Sequence, residues 1–183
     1  MGRTEYEEHM PDGHGGPLPD AYWADPKRLL AGPHPLNHVS ERAAQRARLR
    51  ALLDAGIRTV IDLRTPVEPP SIRSLLDKLS EEATWVGVPI LDGAAPTHPQ
   101  LVTILDVIDA SLARDRPVYV HCHGGLGRTG TVVACWWIRH GLFSPEDALV
   151  ELGVRRRGQP HGERPSPETA PQLRLVRSWT AGA

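Results

Sequence analysis

The sequence predicts an α/β domain with a mainly parallel β-sheet flanked by helices. Three observations carry this. Short β-branched runs alternate with helical patterns, which is the signature of βαβ units. Apolar residues make up 40% of 183 residues, enough for a real core in one domain. No repeat period is visible along the chain.

The elements follow in order. Residues 1–20 are rich in Gly, Pro and charge and are expected to be a flexible tail, ahead of one domain over 21–183. His9 and His14 in that tail lack the neighbouring ligands of a metal site. Arg28-Leu-Leu-Ala-Gly32 reads as a short edge strand ended by Gly32, Pro33 and Pro35. Ser40 reads as the N-cap of a helix from Glu41 to Ala55, closed by Gly56. Thr59-Val-Ile-Asp-Leu63 reads as a buried strand and about 71–82 as a helix. Thr84 to Val88 is the next strand, followed by a loop with Pro89, Asp92, Gly93 and Pro96. Thr97 and Pro99 open a helix with Leu101, Ile104, Leu105, Ile108 and Leu112 at helical spacing. Pro117-Val-Tyr-Val-His121 is a strand that runs into a Gly-rich turn. A helix then starts near Gly127, with Trp136 and Trp137 as core residues. Ser144, Pro145 and Asp147 begin a helix expected to end at Gly153. A basic connector follows, and a last helix carries Leu173, Val176 and Trp179.

Composition excludes several function classes. The net charge of −1 makes no field that would gather nucleic acid or anionic lipid. No apolar run has the length of a membrane span, and the polar start is unlike a signal peptide. Two cysteines, Cys122 and Cys135, do not make a disulfide framework and point to a reducing cytoplasm. Cys135 is expected to be a buried core thiol. Basic residues are 19 Arg against 2 Lys. Against that skew, the run Arg155-Arg156-Arg157 reads as a solvated face, although it could line a pocket mouth.

The chemistry concentrates in His121-Cys-His-Gly-Gly-Leu-Gly-Arg-Thr-Gly130. Gly124, Gly125 and Gly127 let the backbone curl so that the N–H groups of residues His123 to Arg128, Leu126 included, point inward. Such a nest binds a dianion, and the positive end of the following helix aims at the same point. Cys122 sits at the base of that cradle, where the same donors stabilise a thiolate. Arg128 closes the ring and can hold two phosphate oxygens bidentately. His121 and His123 flank Cys122, but no second ligand cluster appears in the chain, so neither a metal nor another cofactor is expected.

This segment resembles the signature of the protein tyrosine phosphatase superfamily. It is closest to the compact dual-specificity-like members and the kinase-associated phosphatase group. The resemblance implies a metal-free reaction in two steps, thiolate attack on phosphorus and then hydrolysis of a phosphocysteine. It implies that Asp92, on the loop after the strand preceding the catalytic one, is the general acid, with Asp62 as its rival. Asp106 and Asp109 lie mid-helix and fit poorly. It implies that the Thr129 hydroxyl helps the thiolate leave and that His121 orients the loop. Gln172 matches the residue that orients the hydrolytic water, and equally reads as part of an ordinary helix start. The implied substrate is a phosphorylated protein, chiefly on tyrosine and also on serine or threonine. A small phosphorylated metabolite or a phosphoinositide is the alternative. A phospho-binding module without turnover is the reading from another class, and the presence of Cys122, Arg128 and Asp92 together argues against it.

Overall fold

Runs of apolar and β-branched residues form five four-residue strands in the computed structural model, which describes residues 15–68 and 71–183. They are β1 (Tyr22–Asp25), β2 (Leu29–Gly32), β3 (Thr59–Asp62), β4 (Thr84–Gly87) and β5 (Val118–His121). The helices are α1 (Arg42–Asp54), α2 (Arg73–Leu79), α3 (His98–Leu112), α4 (Gly127–Arg139), α5 (Pro145–Arg155) and α6 (Ala170–Ser178). The sheet order is β1-β2-β5-β3-β4, parallel except for the antiparallel β1.

Alternation along the strands divides the core into two layers. Leu29, Ala31, Val118 and Val120 face a cluster made with α3, α4, α5 and α6. Leu30, Val60 and Tyr119 face the cluster made with α1 and α2. In α4 every residue from Gly127 to Ile138 is buried, and Trp137 donates its indole N–H to Ala24 O at 3.0 Å. Full burial of such a side chain contributes about 1.5–3 kcal/mol or more. The parallel strands finish level, with Gly32 and Asp62 both paired to His121. The loop after β5 therefore opens at the carboxyl edge of the sheet, where open α/β sheets hold their ligands.

Helix starts agree with the sequence at three places. Thr97 and Thr169 form capping boxes with Gln100 and Gln172, and Ser144 accepts from Asp147 N. Elsewhere the structure corrects the expectation. The Leu29–Gly32 strand is not an edge, because β1, absent from the sequence reading, covers its outer side. Pro33 and Pro35 come after the strand ends, so they do not interrupt its pairing. Ser40 is not the N-cap of α1, where Glu41 takes that position without a side-chain cap. Helix α5 passes through Gly153 and ends at Arg155. Arg155 and Arg156 are buried rather than solvated.

Of the expected tail, residues 1–14, with His9 and His14, lie outside the described residues. Gly15 is exposed but bridges to Tyr22, and packing begins at Leu18. Leu18 is buried and Asp20 pairs with Arg48 at 2.7 Å. No described helix is long and apolar enough to cross a membrane.

Candidate active site

Cys122 follows β5 directly and is buried at the base of the loop, where its Sγ accepts the N–H of Gly125 at 3.2 Å. Gly125 is required twice over. Its φ is +72°, and a Cβ there would stand 2.5 Å from the backbone of Gly32 and Pro33. The outside of the loop is fastened by His34 N and Asn37 Nδ2, which both donate to His123 O, at 2.9 and 2.6 Å. Ser166 Oγ donates to Leu126 O at 2.7 Å at the threshold of α4. His123 and Gly124 are exposed, while Gly125, Leu126 and Gly127 are buried. The N-terminus of α4 then faces the loop interior.

His121 lies beneath the loop. Its Nδ1 is 3.2 Å from Cys122 O and 3.8 Å from Asp62 Oδ1. Its ring stacks on Tyr119 and meets His34 edge-on. Burial lowers its pKa to about 4, so the neutral ring donates from Nδ1 to Cys122 O. Burial, reinforced by His121, lowers His34 to about 3.

Arg128 has five N–H donors, and four have a destination. Nη1 donates to Glu68 Oε1 at 2.8 Å and to Ile90 O at 3.1 Å, and Nη2 donates to Glu68 Oε2 at 3.0 Å. Asp92 Oδ1 stands 2.8 Å from Nη2 as an ion pair. Nε is buried with no partner among the described residues. The Nε–Nη2 edge is thus the side of the fork open to an anion, with Asp92 across it. The two carboxylates differ in exposure. The Glu68 side chain is 21% exposed and that of Asp92 79%. The hydrogen bond from Arg128, opposed by burial, lowers the Glu68 carboxyl to about 2.

The rival acid is occupied. Asp62 is buried and accepts from Arg64 Nε at 3.0 Å and Nη2 at 2.9 Å. Burial pushes its carboxyl up, and the Arg64 bonds with His121 outweigh that, leaving it below the ordinary value. Asp106 pairs with Arg139, and Asp109 with Trp136 and His140, at the far end of α4.

Thr129 is buried, and its hydroxyl makes a long bond to Gly32 O at 3.5 Å. Among the described residues it makes no hydrogen bond to the Cys122 sulfur. Gln172 is buried, and its carboxamide is heavily engaged. Oε1 accepts from Glu168 N and Thr169 N at 3.1 Å each, and Nε2 donates to Ala94 O at 3.0 Å. Thr169 Oγ1 donates to Gly93 O at 3.0 Å. The start of α6 therefore clamps the Asp92 loop from behind. Cys135 is a free thiol in the core, and burial pushes its pKa up.

Four contributors escaped the sequence reading: Glu68, His34, Asn37 and Ser166. Glu68 carried a faint signal, a carboxylate just past the carboxyl end of β3, where sheets of this kind place ligand groups. His34, Asn37 and Ser166 carried none. Among the described residues no group of three or more His, Cys, Asp or Glu is arranged to hold a metal ion.

Comparison with known proteins points to one family. Residues 36–142 match the family described as Tc-R-P, polymorphic toxin system, DSP-PTPase phosphatase. The mouse protein tyrosine phosphatase domain-containing protein 1 is 28% identical over 142 residues, 72% of this chain and 18% of that one. The zebrafish (Danio rerio) dual specificity protein phosphatase CDC14AB is 26% identical over 160 residues, 85% of this chain and 24% of that one. This chain thus spans less than a quarter of the length of these curated relatives. The crystal structure of Tk-PTP in its active form superposes with a TM-score of 0.71 at 26% identity, covering 87% of this chain and 95% of that one.

Proposed function

The chain belongs to the DSP-PTPase phosphatase family of polymorphic toxin systems, Tc-R-P, and on that premise we propose that it hydrolyses protein phosphotyrosine through a phosphocysteine on Cys122. The observation that carries this reading is the recessed nucleophile. Cys122 is buried at the base of its loop, and two apolar side chains next in sequence to the carboxylates at Arg128 are exposed, Val67 at 86% and Leu91 at 71%. A phosphate must hang on a long stem to reach the sulfur, and an apolar aromatic stem suits those side chains better than the short arm of phosphoserine.

In the first step the Cys122 thiolate attacks phosphorus while the bond to the phenolic oxygen breaks. The loop N–H groups and the Nε–Nη2 edge of Arg128 take the phosphoryl oxygens, displacing Asp92 from that edge. Asp92 gives its proton to the departing phenolate. Protonated Asp92 holds Arg128 weakly, so the form able to act as acid is also the form that releases the fork. In the second step Asp92 takes a proton from water as the water attacks phosphorus. The S–P bond breaks, inorganic phosphate leaves and the thiolate is regenerated; the Thr129 hydroxyl must leave Gly32 O before it can support the sulfur. Gln172 keeps one amide N–H for water, and its main task is to hold Ala94 and with it the acid loop. The reaction needs Cys122 as a free thiolate, which suits a reducing compartment such as the cytoplasm.

The test is Cys122→Ser assayed on an aryl phosphate and on a substrate panel. Turnover should vanish while vanadate or phosphate still binds, and the wild type should prefer phosphotyrosine peptides over phosphoserine peptides, phosphoinositides and sugar phosphates. Turnover surviving in Cys122→Ser would overturn the mechanism. A better sugar phosphate or phosphoinositide would overturn the substrate class alone.

A further inference from the structure

A cavity of about 310 Å³ lies between α1 and α2, on the face of the sheet away from α4. None of the catalytic steps above uses it. Three cations stand in its walls, Arg42 and Arg46 on α1 and Lys78 on α2, with Leu36 and Leu75 as the apolar part, and no carboxylate lines it. All three cations are exposed, and among the described residues none of them has an ion pair or a hydrogen bond. Arg42 and Arg46 are one turn apart, a spacing at which like charges repel along a helix face. Arg50 repeats that spacing, but it lies outside the cavity, on the outer face of α1 with Asp54.

The cavity also offers hydroxyls. Ser71 Oγ accepts from Arg73 N at 3.3 Å, which leaves its O–H free to donate, and Ser74 Oγ is unengaged among the described residues. Cations that converge on hydroxyl donors suit phosphate, which accepts from many donors at once and takes an arginine fork bidentately. A phosphate monoester carries about −1.5 to −2 at neutral pH, so three cations call for more than one phosphate. An extended acidic peptide fits less well. Its side chains on one face lie about 7 Å apart along a line, whereas these cations meet from two helices at one recess.

We propose that this cavity is a non-catalytic binding site for a compact anion bearing two or more phosphates, either a soluble molecule or the headgroup of a lipid. It is independent of the phosphotyrosine reading above. The site is placed to act on the phosphate loop from behind. Leu36 adjoins Asn37, which with His34 holds His123 O, and Ser71 comes three residues after Glu68, which grips Arg128. An anion that joins Arg42 and Arg46 to Lys78 therefore ties together the two helices that follow these bracing segments, and steadies both segments.

The experiment uses the full chain with its catalytic loop saturated by vanadate, so that only a second site is titrated. Calorimetry with inorganic pyrophosphate should show one further binding event, which weakens as salt rises. Arg46→Gln and Lys78→Gln should each weaken it about tenfold, as expected for the loss of one charge-assisted contact. Arg50→Gln, outside the cavity, should bind as the wild type does. Hydrogen exchange at the amides of residues 34–39 and 64–68 should slow on binding. No event beyond that of vanadate would overturn the site, and so would equal weakening in Arg50→Gln, which would mean a diffuse charge on α1. Unchanged exchange in both segments would overturn the link to the phosphate loop. A second arm replaces pyrophosphate with vesicles of phosphatidylcholine and phosphatidylinositol bisphosphate. Tighter binding to the vesicles assigns the site to a lipid headgroup, and tighter binding to pyrophosphate assigns it to a soluble ligand. An octaglutamate peptide that binds more tightly than either would overturn the phosphate class.

Discussion

Arg128 and Arg156 are both buried beside the phosphate loop, and they differ in what answers their charge. Arg128 faces two carboxylates, Glu68 gripping the Nη1–Nη2 edge and Asp92 standing at Nη2. Arg156 donates its hydrogen bonds only to main-chain carbonyls. The difference separates two uses of one side chain. A guanidinium paired with carboxylates exerts little field at a distance, but it can exchange a partner for substrate at the moment of binding. One held only by carbonyls keeps its charge without an ion-pair partner and has no partner to exchange. The two partners of Arg128 divide the work again. Glu68 is mostly buried and permanent, whereas Asp92 is largely exposed and free to leave.

The sharpest break in this picture comes from Asp92→Asn. If Asp92 donates the proton, the variant should lose about 10²- to 10⁴-fold in rate on a phosphotyrosine peptide or alkyl phosphate. It should lose little on a nitrophenyl phosphate, whose leaving group departs as an anion. Steady-state kinetics across a leaving-group series reads this directly. The same dependence in Asp62→Asn, and not in Asp92→Asn, would move the acid to the Arg64-bound carboxylate.

Next in size is Arg128→Lys. Lysine keeps the charge and loses the fork, so kcat/KM should fall on the order of 10²- to 10³-fold, as when one anion-stabilising donor is removed. A fall of only a fewfold on any aryl phosphate would make Arg128 a structural partner of Glu68.

The charge contrast also has a pH signature. His121 and His34, packed under the loop, are lowered by burial from 6.5 to about 4 and about 3. For groups depressed in this way the unfolded chain binds protons more readily. Stability is therefore full above about 6.5 and is lost as pH falls toward about 4. For His121 this is on the order of 3 kcal/mol. Glu68, lowered from 4.5 to about 2, stabilises above 4.5 and loses that contribution as pH falls through about 2. Arg156 has no titrating ion-pair partner and adds no step. Urea unfolding from neutral pH downward should show the histidine loss first. No loss of stability between neutrality and about pH 4 would mean that the histidines are not held neutral.

The smallest effect is expected for Glu68→Gln. The carboxamide keeps the shape and loses the charge that pins the guanidinium, so kcat/KM should drop about tenfold through misalignment of the open edge. The variant should also lack the acid step below 4.5, which ties the kinetic change to the Arg128 pair. Unchanged kinetics with that step still gone would make Glu68 a stabilising residue only.

The cradle itself could be read from the chain alone because its parts are contiguous. A strand, a glycine turn and a helix N-terminus within Val118 to Gly130 place Cys122, the inward N–H groups and Arg128 by local backbone geometry. The starts of α3 and α5 were legible for the same reason, since a cap and its N–H lie three residues apart. Only the tertiary structure decided what meets what across the sheet. Glu68 reaches Arg128 from 60 residues away. The strand Leu29–Gly32 became central because β1 folds back outside it, and Arg155 and Arg156 became buried because β1 and the 156–164 connector close over them. Periodicity reports which face of an element is apolar. It does not report which element will cover that face, and the counter-charge of a buried arginine depends on that covering element.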